Sequence, residues 1–218
     1  MTNTSQYHLA EVKIALDRSH PKHISPEIPT GCRVLDIGCG AGQTLIATCR
    51  GRLSFGIDKD MAALQLGRTL TSEVAFACAD AESLPFHACS FDMVISRVAL
   101  PYTNIRHTLA EIRRVLKPGG QLWAVMHTFA VPWKAARRAG WKGRIFFAYV
   151  LCNSFLFRFT GRAFRFFRWG CESFQTQAGM SRALRAAGFV RIAVQARPYL
   201  VVTARKSNIS DADSGTAQ

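Results

Sequence analysis

The sequence lacks a cysteine framework. Its seven cysteines (Cys32, Cys39, Cys49, Cys78, Cys89, Cys152 and Cys171) are scattered, with no C-x-x-C pair and no clustering with histidine. An odd, unframed set argues against a disulfide-stapled secreted module and fits reduced thiols in the cytoplasm. No metal site is expected from it. Acid is also scarce: 14 Asp plus Glu stand against 28 Lys plus Arg, a formal net charge of +14. Such a field favours an anionic partner, whether nucleic acid, a phosphorylated substrate or an acidic membrane surface, without choosing among them. Long apolar runs are missing too. The longest, Ile145 to Leu156, is broken by Asn153 and Ser154 and is short for a membrane span. Met1 to Ala10 is polar, so no secretory signal is read there.

What is present suits a packed core. Of the 218 residues, 49% are hydrophobic, which excludes global disorder and is enough for one α/β domain. That domain is expected to span residues 1–206, with the polar, aperiodic 207–218 as a mobile tail.

The organising stretch is Arg33-Val34-Leu35-Asp36-Ile37-Gly38-Cys39-Gly40-Ala41-Gly42-Gln43. A short apolar run of the buried-strand kind leads into alternating glycines, and a helical stretch begins at Gln43. Glycines lack the Cβ that would hold a ligand away from the backbone, and their N–H groups can face polar ligand atoms. The spacing is G-x-G-x-G, not the G-x-G-x-x-G of dinucleotide binders.

Around this loop the chain reads in order. Gln6 to Arg18 forms a leading helix, and Pro21, Pro26 and Pro29 mark an extended linker. Strands are expected at Leu53–Ile57, Val74–Ala79, Phe91–Ser96 and Gln121–His127. Helices are expected from the glycine loop to Cys49, at Met61–Leu70 capped by Asp60, and at Thr103–Leu116. Strand and helix alternate with short connections, which implies a parallel sheet covered on both faces. Residues 129–175 carry no sheet pattern. A helix at Gly179–Ala187 and two strands, Phe189–Ala196 and Tyr199–Ala204, close the chain, the last strand antiparallel.

Ligands of parallel α/β sheets bind beyond the carboxyl ends of the strands. Asp36, Asp58 and Asp80 fall on that rim. Asp58 follows Gly40 by 18 residues, where an acid can accept hydrogen bonds from both hydroxyls of a ribose. Asp80 supplies an acceptor for an adenine amine, and Ala81 offers a backbone N–H to a ring nitrogen. Asp36 is expected to orient the loop and to lie near a cationic part of the ligand. An acidic rim of this kind suits adenosine carrying an ammonium and a sulfonium better than it suits a pyrophosphate.

The ordered segments Val34–Gly42, Gly56-Ile57-Asp58, Asp80–Phe86, Phe91–Ser96 and Glu111–Gly120 resemble the motif set of class I S-adenosylmethionine-dependent methyltransferases. The nearest subgroup includes the ubiquinone and menaquinone biosynthesis enzymes. The resemblance covers residues 31–128 closely and 176–205 loosely. It implies a doubly wound, seven-stranded Rossmann-like sheet of order 3-2-1-4-5-7-6 with strand 7 antiparallel, and S-adenosyl-L-methionine as cofactor. It also implies a helical, aromatic and basic insertion between strands 5 and 6. Carried over by position, it places Gly38, Cys39, Gly40 and Gly42 on the methionine part and Asp58 on the ribose. Asp80 and Ala81 fall on the adenine, Ser96 and Arg97 beside the sulfonium, and Lys59 and Met61 along the adenosine pocket.

Methyl transfer from a sulfonium requires alignment and exclusion of water, and a general base only where the acceptor must lose a proton. The position after strand four holds Ala99-Leu100-Pro101-Tyr102 and offers no base. His127 at the end of strand five is the base candidate, and Tyr102 a substrate-lining group. The substrate lid is expected at residues 129–175; its segment 129–169 holds nine Lys or Arg and thirteen aromatics, and no Asp or Glu occurs from Ile112 through Cys171. The expected reaction is O- or C-methylation of a small apolar or aromatic acceptor, with peripheral contact to an anionic membrane. RNA is the alternative acceptor, through the basic aromatic segment.

Overall fold

The computed structural model describes residues 3–49, 51, 53–126, 140–162, 164, 173–196 and 199–208. Helix α1 (Asn3–Leu16) precedes β1 (Val34–Ile37), α2 (Gln43–Thr48), β2 (Ser54–Asp58), α3 (Met61–Leu70), β3 (Val74–Cys78) and β4 (Phe91–Arg97). After β4 come α4 (Ile105–Val115), β5 (Leu116–Met126), α5 (Trp141–Thr160), α6 (Gln177–Ala186), β6 (Phe189–Gln195) and β7 (Leu200–Lys206). The seven strands form one sheet in the order β3-β2-β1-β4-β5-β7-β6. β7 runs antiparallel to both β5 and β6, as the terminal hairpin implies.

Local chemistry explains the elements. β1 is buried along its whole length, because parallel strands are covered on both faces. α3 starts where Asp60 Oδ1 accepts the Ala62 and Ala63 N–H groups at 2.9 and 3.3 Å. α4 starts two residues later than expected because Asn104 caps it, its side chain accepting from the His107 N–H. α1 ends before Asp17, whose Oδ1 accepts both the Ser19 N–H and Oγ–H at 2.9 and 2.6 Å and turns the chain.

Two apolar layers flank the sheet. Leu35 and Ile37 pack with Leu109, Ile112, Met180 and Leu184 on one face. Val34 packs with Leu45, Cys49, Met93, Ile95 and Trp123 on the other. The alternation along a strand therefore puts Asp36 and Arg97 on the face shared with α2.

β5 departs from the expected start at Gln121. Leu116 pairs with Phe91 and Gln121 with Met93, so residues 117–120 bulge outward opposite Asp92. Lys117 Nζ then meets Asp92 Oδ1 at 2.8 Å. The expected proline-glycine stop is a bulge within the strand. Of the expected lid, α5 is helical, and residues 127–139 and 165–172 lie outside the described residues, as do 209–218 of the expected tail.

Candidate cofactor site

The glycine turn after β1 is tied to β2 at three points. Gly38 and Cys39 donate their N–H groups to the Ile57 carbonyl at 2.8 and 2.9 Å. Gly40 donates to Asp58 Oδ2 at 2.8 Å. The other carboxylate oxygen, Oδ1, accepts the Asp60 N–H at 2.9 Å. Asp58 is thus fixed by backbone donors on both oxygens. A carboxylate offers about four acceptor sites, so two remain for a ligand.

Close approach demands the glycines. A Cβ on Gly38 would stand 2.2 Å from the Ala99 Cβ, and Gly38 also adopts φ +71°. A Cβ on Gly40 would meet the His8 ring at 2.8 Å. The chain after β4 packs directly on the turn through Ala99, and the preceding Val98, a β-branched residue, takes φ +67°. Such a conformation costs on the order of 1–3 kcal/mol and concentrates at functional sites. The Val98 N–H is held by the Val125 carbonyl at 2.7 Å.

These pieces enclose a cavity of about 370 Å³, within the range of small-ligand pockets. Gly38, Gly40, Asp58, Lys59, Ala81 and Arg97 line it, as does Tyr102 at the rim. Asp80 stands between the lining residues Ala79 and Ala81. Its Oδ2 meets Lys59 Nζ at 3.0 Å and its Oδ1 accepts the Glu82 N–H at 2.9 Å.

Ser96, Cys39, Gly42 and Met61 do not line the cavity. Ser96 is fully buried, and its Oγ donates to the Ile37 carbonyl at 3.0 Å, so it clamps β4 to β1 and does not reach the cavity. Cys39 is buried against Gly56, where an added Cβ would meet its Sγ at 2.7 Å. Burial, then Asp36 and Asp58, push its thiol up, so it holds no thiolate. Gly42 caps α2 with φ +79°, and Met61 opens α3 in an exposed position. His127 lies outside the described residues.

Asp36 is wholly buried, and its Oδ1 has no hydrogen-bond partner among the described residues. Burial raises its pKa to about 8, opposed by the nearby Arg97 and reinforced by Asp58. The expected loop-orienting role belongs instead to Asp58 and the Ile57 carbonyl, which hold the turn's N–H groups. An unpaired acid at this depth is costly unless a donor or cation meets it.

Helix α1 supplies residues that the sequence reading missed. Tyr7 and His8 line the cavity, and Glu11 forms an ion pair with Arg97, whose side chain is only 11% exposed. His8 Nδ1 and Gln43 Oε1 are buried beside Gly40 and have no partner among the described residues. A signal was present: Tyr7, His8 and Glu11 share one side of the helix with the buried Val12 and Ala15, His8 and Glu11 each standing four residues before one of them. Nothing in the spacing said where that side would land.

The fold and site define a class. A sheet of this order, with a glycine turn after β1 and an acid ending β2, is the Rossmann-like architecture of class I methyltransferases. Residues 35–124 match the family model of the methyltransferase domain. Over 137 residues the chain is 34% identical to the uncharacterized methyltransferase YodH of Bacillus subtilis, covering 60% of this chain and 55% of that one. It is 37% identical over 102 residues to a malonyl-[acyl-carrier protein] O-methyltransferase of a Methylovorus species, covering 41% and 34% respectively. The chain thus spans about half or less of the length of these curated relatives. Among solved structures, an S-adenosylmethionine-dependent methyltransferase from Mesorhizobium loti superposes with a TM-score of 0.59 at 21% identity, over 83% of this chain and 93% of that one. A Haloferax volcanii putative methyltransferase, solved with its Trm112 activator, gives 0.60 at 21% identity over 94% and 92%. Residues 35–124 thus match a methyltransferase-domain family, and the chain shares the fold of S-adenosylmethionine-dependent methyltransferases of known structure.

Proposed function

We propose that this chain transfers a methyl group from S-adenosylmethionine to oxygen or carbon of a small apolar or aromatic acceptor. The observation that carries the reading is the cavity walled by the glycine turn, Asp58 and the segments following β3 and β4. The residues fit the cofactor. Gly38 and Gly40 leave space that a Cβ would fill, and Asp58 keeps two acceptor sites for ribose hydroxyls. Asp80 and the Ala81 backbone suit an adenine edge, with Lys59 beside it. Asp36, lacking a partner on Oδ1, suits the cationic methionine part, with Arg97 on the same face.

When bound, S-adenosylmethionine supplies an already activated methyl group. The protein's work is then alignment and exclusion of water. Ile37, Ile57, Ala79, Val98 and Ala99 give the cavity apolar walls, while Tyr102 stands on its rim, 57% exposed, where an acceptor would pass. The similarity to an O-methyltransferase supports oxygen as the methylated atom. The six described cysteines are free thiols, which supports a reducing, cytoplasmic setting. An apolar acceptor would be drawn from an anionic membrane touched at its surface.

The test is to incubate the protein with methyl-labelled S-adenosylmethionine and cell extract separated into lipid-soluble, aqueous and RNA fractions. Label is expected in the lipid-soluble fraction. Label in RNA would overturn the acceptor, and absence of calorimetric S-adenosylmethionine binding would overturn the activity.

A further inference from the structure

Helix α5 is apolar on the wrong side. Its inner face buries Val150, Asn153 and Phe157, and Phe157 packs against Gly179 of α6. Asn153 is satisfied there: its Nδ2 donates to the Phe164 carbonyl at 3.0 Å, and its Oδ1 accepts the Phe164 N–H at 2.6 Å. At 100° per residue the opposite face carries Trp141, Ile145, Ala148, Cys152, Phe155 and Phe159, spaced four and three apart. All six are exposed, Trp141 at 69% and Phe155 at 67%. A helix on a globular surface ordinarily turns polar residues to this side.

Cations flank the stripe. Arg144, Leu151 and Arg158 repeat every seven residues along one border, Arg162 follows, and Lys142 lies on the other border. Arg158 sits over the Phe159 ring, 5.8 Å from its centroid, and Phe155 and Phe159 pack with centroids 4.8 Å apart. No acid interrupts the chain from Ile112 through Cys171. The face is therefore hydrophobic at its centre and positive at its edges.

We infer that α5 seats the protein on an anionic lipid surface, its aromatic stripe in the interface and its arginines among the headgroups. Long basic side chains reach the headgroup level while apolar stems and rings lie below. No helix among the described residues is long and apolar enough to cross a membrane, so the helix lies on the surface. RNA fits less well. Ile145, Ala148 and Leu151 cannot stack on bases, and strand-binding proteins use a charged groove where this face is a single exposed helix. None of these residues lines the cofactor cavity, so the surface and the methyl-transfer reading fail or stand separately.

The full-length protein should sediment with phosphatidylcholine vesicles containing phosphatidylserine and not with phosphatidylcholine alone. Phe155→Ser with Phe159→Ser, and separately Arg144→Gln, Arg158→Gln and Arg162→Gln together, should each weaken that binding at least about tenfold. Both variants should keep wild-type S-adenosylmethionine binding and helical content, which shows that the fold persists. Failure of the wild type to sediment overturns the proposal. Retention of lipid binding by the phenylalanine variant also overturns it, because charge alone would then explain adsorption. If an RNA hairpin displaces the protein from vesicles at equal phosphate concentration, the surface is a nucleic-acid site instead.

Discussion

Gly40 donates its backbone N–H to Asp58 Oδ2 at 2.8 Å, joining two residues 18 positions apart. One carboxylate thereby holds the glycine turn in shape and presents its remaining lone pairs at the cavity. Loop geometry and ligand affinity are consequently coupled through a single side chain.

Replacing Asp58 with Ala should weaken S-adenosylmethionine about 10- to 150-fold in calorimetry, from the loss of charge-assisted hydrogen bonds of about 1.5–3 kcal/mol. Asp58→Asn, which retains one acceptor oxygen, should lose less. An affinity unchanged in the alanine variant removes the ribose from this position.

Asp80→Ala should weaken the same ligand by about 1–3 kcal/mol, because an adenine amine would be left without its acceptor. Asp80→Asn keeps an oxygen for both the amine and the Glu82 N–H, and should stay closer to wild type. Equal affinities in all three proteins would separate Asp80 from the site.

Asp36 makes a pH prediction. Its folded pKa, about 8, lies above the ordinary value of 3.8, so the folded protein binds its proton more tightly than the unfolded chain does. The stabilisation from that proton is full below the ordinary value and is lost as pH rises to about 8. Urea unfolding between pH 5 and pH 8 should therefore show wild type losing stability relative to Asp36→Asn. Parallel profiles would mean that Asp36 is already ionised in the fold.

Gly38→Ala should destabilise strongly. The new Cβ would stand 2.2 Å from the Ala99 Cβ at φ +71°, adding a clash to a left-handed penalty of about 1–2 kcal/mol. Ala99→Gly in that background should restore the clash component and leave the backbone component. A double variant no more stable than Gly38→Ala alone would show that Ala99 is not the obstacle.

Where the information is local, the sequence by itself determined the outcome. The Val34-Leu35 run, the alternating glycines, the Asp60 cap and the bounds of α3 follow from hydrogen bonds and periodicities closed within a few residues. Strand order was implied by the resemblance of the ordered motifs, and the rim positions of Asp58 and Asp80 were legible because each ends a strand of a parallel sheet. The tertiary structure alone decided the rest. Glu11 and Arg97 are 86 positions apart, and only the packing of α1 beside α2 and the end of β4 brings them together. Ser96 was placed by motif at the ligand and is spent on the Ile37 carbonyl, since the twist and pairing of β1 and β4 set where its hydroxyl points. The apolar side of α5 that faces outward could not be read from composition: both sides are apolar, and packing against α6 buries one and leaves the other.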